Sequence, residues 1–564
     1  MAGTIPMPNR RAALRNALAC SALVASTLWV ATLASAQPLG AGEDQDQAAA
    51  SRLNKPSGPP RYEPLLPKGT PETIREVDPT VPVNNLSDAL QMAYWSSPSL
   101  LAERARMRSV DFRLPQARAQ YGPRIDYVAS YGYQRDNTEI LPNIFRPRSG
   151  WSSAVSAVLT QPVYTFGRNA AGENQALGQI AFERASLRQS EGQALFDALS
   201  AYAGVLRDRA SVGIARDNLD LLEREYTDSK SRLDVREITL TDYQQVATRV
   251  ELGRAQLLSA QRVAASSEAV FLSRVGAPAA IALKDPNPLV IPARTLEDAF
   301  AFSDLHNPVI GAAYAREQTS RAAKQAARAD MMPRVDLRGR ANYGSVTPYT
   351  DRLRTTELRG EVVVSGNLFQ SGQGMARIAE ANAANDADWR LIDQAQRENR
   401  VELADAWNQW LALAASTEYL AKAVDEAQAA YDGAVLQERA GMRTTLDVLD
   451  LARELLSART NYNGATSGAY LAQARLLLAM GALEQSYLFP DAPRYDVEAH
   501  FEKVKENGDI PLLTPLLRVI DGVAQGSTKD RALRDPSAKV TVPGVDLPIP
   551  GQPASPTEPA MQGN

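Results

Sequence analysis

The chain has almost none of the residues that carry covalent or metal chemistry. Of 564 residues, one is cysteine (Cys20) and two are histidine (His306 and His500). A lone thiol allows no intrachain disulfide, no zinc finger and no CxxC redox pair. Neither histidine sits in an HExxH motif, which removes the zinc hydrolase reading. No Walker motif and no nucleophile elbow occurs either. Gly372-Gln373-Gly374 is only a fragment of a glycine motif and reads as a flexible strand-to-helix junction. The expectation is therefore no enzyme, no cofactor and no metal. Excess positive charge is also missing, with 61 basic against 65 acidic residues and a formal charge of −4. That balance offers no electrostatic footprint for nucleic acid. Past residue 37 no run approaches the roughly twenty apolar residues of a membrane-spanning helix. A β-barrel stays open to the chain, because alternating strands leave only a weak hydropathy signal.

What is present begins with an export signal. Arg10, Arg11 and Arg15 precede an apolar run from Ala17 to Leu33, and Ala34-Ser35-Ala36 forms a small-residue cleavage site before Gln37. Residues 1–36 thus read as a secretory signal peptide. The rival reading, a membrane anchor, is disfavoured by the short run and by the cut motif. Asn9-Arg10-Arg11-Ala12 hints at a twin-arginine signal, but its flanks are poor and the general export route fits better. Cys20 lies within the apolar run, which weakens a lipoprotein reading. Cleavage removes that thiol and leaves 58 basic against 65 acidic residues.

Residues 37–85 are punctuated by proline and read as an extended linker, and residues 486–564 read as a mostly disordered C-terminal extension. Between them lie two copies of one unit. Ser97-Pro98-Ser99-Leu100 matches Asn307-Pro308-Val309-Ile310, and Gly122-Pro123-Arg124-Ile125-Asp126 matches Met332-Pro333-Arg334-Val335-Asp336. Val163-Tyr164-Thr165-Phe166-Gly167 matches Leu368-Phe369-Gln370-Ser371-Gly372, and Thr239-Leu240-Thr241-Asp242 matches Thr444-Thr445-Leu446-Asp447. Landmarks in one order at nearly one spacing define an internal repeat. The first copy is residues 86–295, with a helix over 86–119, a β-hairpin over 124–164, a long helix over 168–235 and a return helix over 242–276. The second is 296–485, with a helix over 296–330, a hairpin over 335–369, a long helix over 374–439 and a return helix over 446–481.

The hairpins alternate. Ile125, Tyr127, Ala129, Tyr131 and Tyr133 oppose Arg124, Asp126, Ser130 and Gln134, and Val335, Leu337, Gly339, Ala341 and Tyr343 oppose Asp336, Arg338, Arg340 and Asn342. Such strands suit either a half-buried sheet or a barrel wall. Aromatics near the strand ends (Trp151, Tyr164 and Phe369 among them) and a charged face that suits a watery lumen favour the wall. Two hairpins cannot close a barrel in lipid, so spanning strands require an oligomer. The long helices, about 65 residues each, would reach on the order of 100 Å. Their apolar and small residues recur at coiled-coil-like spacing.

At this point the chain resembles the TolC family of outer-membrane efflux and secretion channels. The resemblance covers roughly residues 86–485. It rests on Leu159-Thr160-Gln161-Pro162-Val163-Tyr164-Thr165-Phe166-Gly167-Arg168 at a strand-to-helix join, on Ala440-Gly441-Met442-Arg443-Thr444-Thr445-Leu446-Asp447-Val448-Leu449-Asp450 at the second helical tip, and on Arg475-Leu476-Leu477-Leu478-Ala479-Met480-Gly481 at the repeat's end. It implies a mainly α fold with a membrane β-barrel. Long antiparallel helical hairpins would build an α-barrel, and each protomer of a homotrimer would give four strands to one twelve-stranded barrel. It also implies an outer-membrane location with a long periplasmic portion. The partners would be a periplasmic adaptor and an inner-membrane pump, in a tripartite efflux pump or a type I secretion system, with the channel itself passive.

The resemblance further implies roles at the tip. Asp447 and Asp450, three apart and hence on one helix face, match the family's constriction acids. Clustered in a trimer, they would have raised pKa values as like charges. The alternative is a solvated helix start, where acids favour the positive dipole end. Arg443 and Asp242 match a latch between tips, and Gly441 matches the tip turn. Two departures stand out. Glu438 occupies the place of an aromatic latch residue, and Arg236 stands where the second copy has Gly441. The runner-up reading is a soluble periplasmic coiled-coil adaptor or scaffold, which would not need two charged-face hairpins. The scarcity of histidine and the lack of a methionine-rich strip speak against a copper route; drug efflux and protein secretion both stay open.

Overall fold

A computed structural model describes residues 70–73 and 75–523. The expected signal peptide, most of the linker and residues 524–564 lie outside the described residues. Strand β1 (Pro71–Glu72) leads to helices α1 (Leu86–Ser96), α2 (Pro98–Asp111) and α3 (Arg113–Arg118). Strands β2 (Arg124–Leu141) and β3 (Ile144–Tyr164) follow, then the long helix α4 (Arg168–Asp234) and its return helix α5 (Leu240–Val275). The second copy runs through α6 (Leu296–His306), α7 (Pro308–Ala329), β4 (Arg334–Thr347), β5 (Thr350–Ser365), α8 (Gln373–Arg439) and α9 (Thr445–Met480). The C-terminal segment adds α10 (Gln485–Leu488), β6 (Arg494–Tyr495), α11 (Val497–Val504) and α12 (Leu513–Gly522). Among the described residues, no helix is long and apolar enough to cross a membrane.

The opening helix of each copy is broken where one continuous helix was expected. Pro98 and Pro308 each stand at the start of a new helix, and the residues before them, Ser97 and Asn307, hold ψ of 119° and 121°. A residue before proline is pushed out of the helical region by the ring, so the chain bends there. The ring is tolerated in the first turn, where the missing N–H has no partner to lose.

Strands β2, β3, β4 and β5 form one antiparallel sheet in sequence order. Within the first hairpin, β3 starts at Ile144 and runs through Pro147. Proline is accommodated there because β4 pairs with β3 only from Ala154 onward, leaving one side of Pro147 without a neighbour. Pro162 sits at a register shift between β3 and β4. At its other end β5 stops at Ser365, before Leu368 and Phe369.

The register puts Tyr127, Ala157, Ala341 and Leu358 in one row, and Ile125, Leu159, Gly339 and Gly360 in the next. Because side chains alternate across a strand, these rows lie on one face. The face bears Ile125, Tyr127, Tyr131, Tyr133, Trp151, Leu337, Tyr343, Leu358, Val362 and Val364, all exposed. Tyr131 stacks on Trp151 with ring centroids 5.0 Å apart. An apolar sheet face this large, open to its surroundings, demands a nonaqueous neighbour.

The core lies instead where the helices converge. Tyr202 and Leu199 of α4, Phe271 of α5, Leu403 of α8 and Leu476 and Met480 of α9 are fully buried together with Leu90 and Leu100. Alanines fill the closest approaches, among them Ala89, Ala93, Ala198, Ala406 and Ala474. This small-residue packing lets each 67-residue helix run close beside its 36-residue return helix.

Two expectations for the flanking segments are corrected. Part of the linker is tied down: β1 pairs in parallel with β6, and the Val83 N–H donates to the Pro278 carbonyl at 3.0 Å. Its prolines prevent a core of its own, but neighbouring carbonyls still pair: Thr70 O accepts from Arg494 N at 3.1 Å and Glu72 O from Asp496 N at 2.9 Å. Within its described residues, up to Val523, the C-terminal extension forms helices α10, α11 and α12 and packs on the first copy. His500 Nδ1 lies 2.7 Å from the buried Asp111 carboxylate. Asp521, 2 % exposed, accepts from Thr165 N at 2.8 Å and Gly167 N at 3.0 Å, and from the Thr165 hydroxyl at 2.9 Å. The carboxylate thus caps the start of α4 from 351 or more positions away. Beside it, Glu173 bridges Arg118 Nε at 3.0 Å and Arg518 Nε at 2.9 Å. Composition pointed to disorder here because the prolines crowd beyond residue 523.

Candidate gate at the helical tips

Each long helix turns back through the same backbone device. After α4, Arg236 takes φ 64°, and after α8, Gly441 takes φ 72°. Glu237 N donates to Arg232 O at 2.8 Å, and Met442 N donates to Gln437 O at 2.8 Å. The doubt raised by Arg236 is resolved: the first turn keeps the left-handed shape although a non-glycine residue there costs about 1 kcal/mol. Gly441 meets that geometry without a Cβ.

The return helices then start with matching capping boxes. Asp242 accepts from Thr239 Oγ1 at 2.8 Å and Thr239 N at 3.3 Å, while Asp242 N donates to Thr239 Oγ1 at 3.2 Å. Asp447 accepts from Thr444 Oγ1 at 2.9 Å and Thr444 N at 3.1 Å, and its own N–H donates to Thr444 Oγ1 at 3.3 Å. Reciprocal bonds of this kind satisfy donors that a helix start leaves open.

These contacts place the sequence-derived candidates. Asp242 is the counterpart of Asp447, and it turns inward to its own helix. Among the described residues, no hydrogen bond or ion pair joins it to Arg443 within the protomer. Asp447 is exposed, and its pKa is lowered by the bonds from the Thr444 backbone and side chain, aided by the Arg443 charge. That is opposite to the rise expected for a cluster of like charges; in one protomer, capping decides the sign. Asp450 lies 3.7 Å from Arg249 on α5 and 3.4 Å from Arg453.

The residue that joins the two hairpins was not singled out for this role. Glu438, at the end of α8, is 3 % exposed. It accepts from Arg232 Nη1 at 2.7 Å and from Thr445 Oγ1 at 2.6 Å. Arg232 belongs to the last turn of α4. Apolar packing reinforces the contact, since Leu449 of α9 is buried with Leu219, Leu222, Val246 and Val250 of the first hairpin. Close by, burial, then Glu438 and Asp228, push the Glu225 carboxyl up to about 7. A signal was available in the sequence: a glutamate in place of an aromatic residue, with Arg232 four positions before the matching turn residue Arg236. Among the described residues, no cluster of His, Cys, Asp and Glu has the makings of a metal site. Nothing in this arrangement does covalent chemistry; its parts hold helix ends together.

A four-stranded sheet with one apolar outer face, continued by a pair of long helical hairpins, defines the class of an outer-membrane channel protomer. Solved structures share this fold. A membrane protein from Pseudomonas aeruginosa superposes with a TM-score of 0.62 at 18% identity, covering 74% of this chain and 97% of that one. The outer membrane protein VceC from Vibrio cholerae gives 0.60 at 19% identity, covering 70% and 96%. Among curated proteins, the outer membrane efflux protein BepC of Brucella suis biovar 1 (strain 1330) is 26% identical over 75% of this chain and 90% of its own length. The alkaline protease secretion protein AprF of Pseudomonas aeruginosa is 26% identical over 66% and 79%. The model of the outer membrane efflux protein family matches residues 89–273 and 304–482, and the chain belongs to that family. It is an outer-membrane channel protein with a periplasmic helical portion, and not an enzyme.

Proposed function

We propose that the chain is the passive exit duct of a multi-component export system, working as a homotrimer docked to a periplasmic adaptor and an inner-membrane pump. The observation that carries this reading is the sheet. Its two outer strands, β2 and β5, each pair on one side only, while its apolar face calls for lipid. Open strand edges are not tolerated in a bilayer, and further copies of the chain supply the missing neighbours. Three copies give twelve strands. BepC is an efflux protein and AprF a protease secretion protein by name; both uses suit a duct whose energy comes from elsewhere.

The periplasmic end is its gate. Within each protomer, Arg232 and Glu438 hold the two hairpin tips together. Asp447 and Asp450 line the mouth, with Gly441 setting the turn, and three copies of that exposed acidic face form a cation-attracting ring. The Arg443–Asp242 latch, absent inside the protomer, acts between neighbouring protomers. The test is purification in detergent, mass measurement of the assembly and planar-bilayer recording. A trimer whose cation selectivity falls in the Asp447→Ala, Asp450→Ala double variant supports the reading. A protein recovered from the soluble periplasmic fraction, with no channel activity, ends it.

A further inference from the structure

The opposite face of the sheet carries an uneven charge pattern. Arg124, Thr160, Arg338 and Glu361 form one register row, and Asp126, Val158, Arg340 and Arg359 form the next. The row after that, Val128, Ser156, Asn342 and Glu357, holds one carboxylate. The first two rows therefore hold four arginines against two carboxylates. Both lie at the end of the sheet where β2 leaves the helices, so in the duct they form the inner mouth of the barrel.

Arg340 and Arg359 are directly opposite each other on β4 and β5. Like charges in that position destabilise a sheet, with side chains on strands only about 4.8 Å apart. The nearby carboxylates are already engaged. Glu361 pairs with Arg359 at 2.9 Å, Asp126 pairs with Arg124 at 2.8 Å, and Glu357 accepts from Asn342 at 3.1 Å. Asp336 is shared by Arg334 at 3.2 Å and Arg338 at 3.5 Å. Among the described residues, Arg340 has no ion pair or side-chain hydrogen bond. Its guanidinium is exposed on the polar face, next to a second exposed guanidinium.

We propose that Arg340 and Arg359 form an anion-binding step on the inner wall of the barrel, engaging carboxylate- or phosphate-bearing solutes in transit. Two adjacent planar forks suit such groups, because guanidinium binds oxyanions through paired N–H donors. A bound anion would also relieve the repulsion between the two facing guanidiniums. A twelve-stranded barrel is roughly 24 Å across, and exposed charges are screened within about 8 Å at physiological salt. The step thus acts along the wall and not across the whole lumen, so it attracts anions without blocking the path. Its sign is opposite to that of the acidic tips, giving the duct a cation-attracting entrance and an anion-attracting barrel.

This proposal rests on the duct reading, and one bilayer experiment separates the two. Single-channel current of the full-length protein is recorded while tripolyphosphate is added on the side facing the barrel. The wild type should show concentration-dependent block. In the Arg340→Ala, Arg359→Ala variant, block should be about fivefold weaker, the scale of losing exposed ion pairs. Arg352→Ala, on β5 outside the two rows, should block like the wild type. Unchanged block in the double variant, with normal conductance showing that it folds and inserts, overturns the anion step alone. Equal weakening in Arg352→Ala overturns it as well. A wild type that forms no channel overturns the duct reading together with it.

Discussion

Arg232 Nη1 donates to Glu438 Oε1 at 2.7 Å, joining the last turn of the first long helix to the last turn of the second. The acceptor is almost wholly buried and the donor is 21 % exposed at its side chain. Removing Arg232 therefore strands a buried carboxylate, while removing Glu438 leaves Arg232 only Glu237, at 3.4 Å. Glu438→Ala should destabilise the tip by about 3 kcal/mol and raise single-channel conductance by loosening the closed mouth. Arg232→Met with Glu438→Leu should recover much of the stability. Identical conductance in Glu438→Ala and wild type would show that this pair has no part in gating.

Glu225 makes the tip sensitive to pH. Its folded pKa, pushed up to about 7 by burial and then by Glu438 and Asp228, lies above the ordinary glutamate value of 4.5. The folded tip therefore holds a proton that the unfolded chain releases earlier, so stability falls as pH rises from about 4.5 and levels off above 7. Ionised Glu225 also places a second negative charge beside the Glu438 clamp. Glu225→Gln should remove this decline, leaving the tip unchanged at pH 4 and firmer at pH 8. Hydrogen exchange of residues 225–240 across that range measures it; a pH profile shared by variant and wild type would count against the assignment.

The two tip turns invite reciprocal substitutions. Arg236 holds φ 64° against its own sterics, whereas Gly441 holds φ 72° freely. Arg236→Gly should stabilise the first turn and Gly441→Ala should weaken the second, each by about 1 kcal/mol. Both effects should appear in local hydrogen exchange at 232–239 and 437–444. If both substitutions destabilise, the Arg236 side chain has a role beyond the turn.

Asp521 gives a fourth test. Its carboxylate accepts from Thr165 N and Gly167 N in a buried site. Asp521→Ala strands those donors at a cost of about 2 kcal/mol, and Asp521→Asn, keeping one carbonyl oxygen, should fall between. Faster proteolysis around residues 164–170 in the alanine variant would accompany the loss. An unchanged cleavage pattern would mean that the cap is dispensable.

Much of this fold is legible in the sequence because its repeats are long and periodic. Prolines 123 and 333, the alternating hairpins and the proline-free helices each carry a strong local signal. What periodicity cannot carry is the meeting of distant residues. Pro98 and Pro308 stand in the sequence, but helical periodicity runs on across the bends they cause. The capping use of Asp447 was one of two readings of an exposed acid at a helix start, and only the paired geometry with Thr444 distinguishes it in the protomer. Glu438 and Arg232 are 206 positions apart, and each alone looks like a surface charge of a long helix. Asp521 sits in a tail whose proline content masks its short amphipathic helices.

The Asp521 cap also sets an order of events in biosynthesis. Thr165 and Gly167 leave the export machinery early, but the carboxylate that secures them arrives more than 350 residues later. The first strand-to-helix junction therefore cannot be completed until nearly the whole chain has crossed the inner membrane. A chain cut short before α12 would leave the Thr165 and Gly167 amides without this buried acceptor.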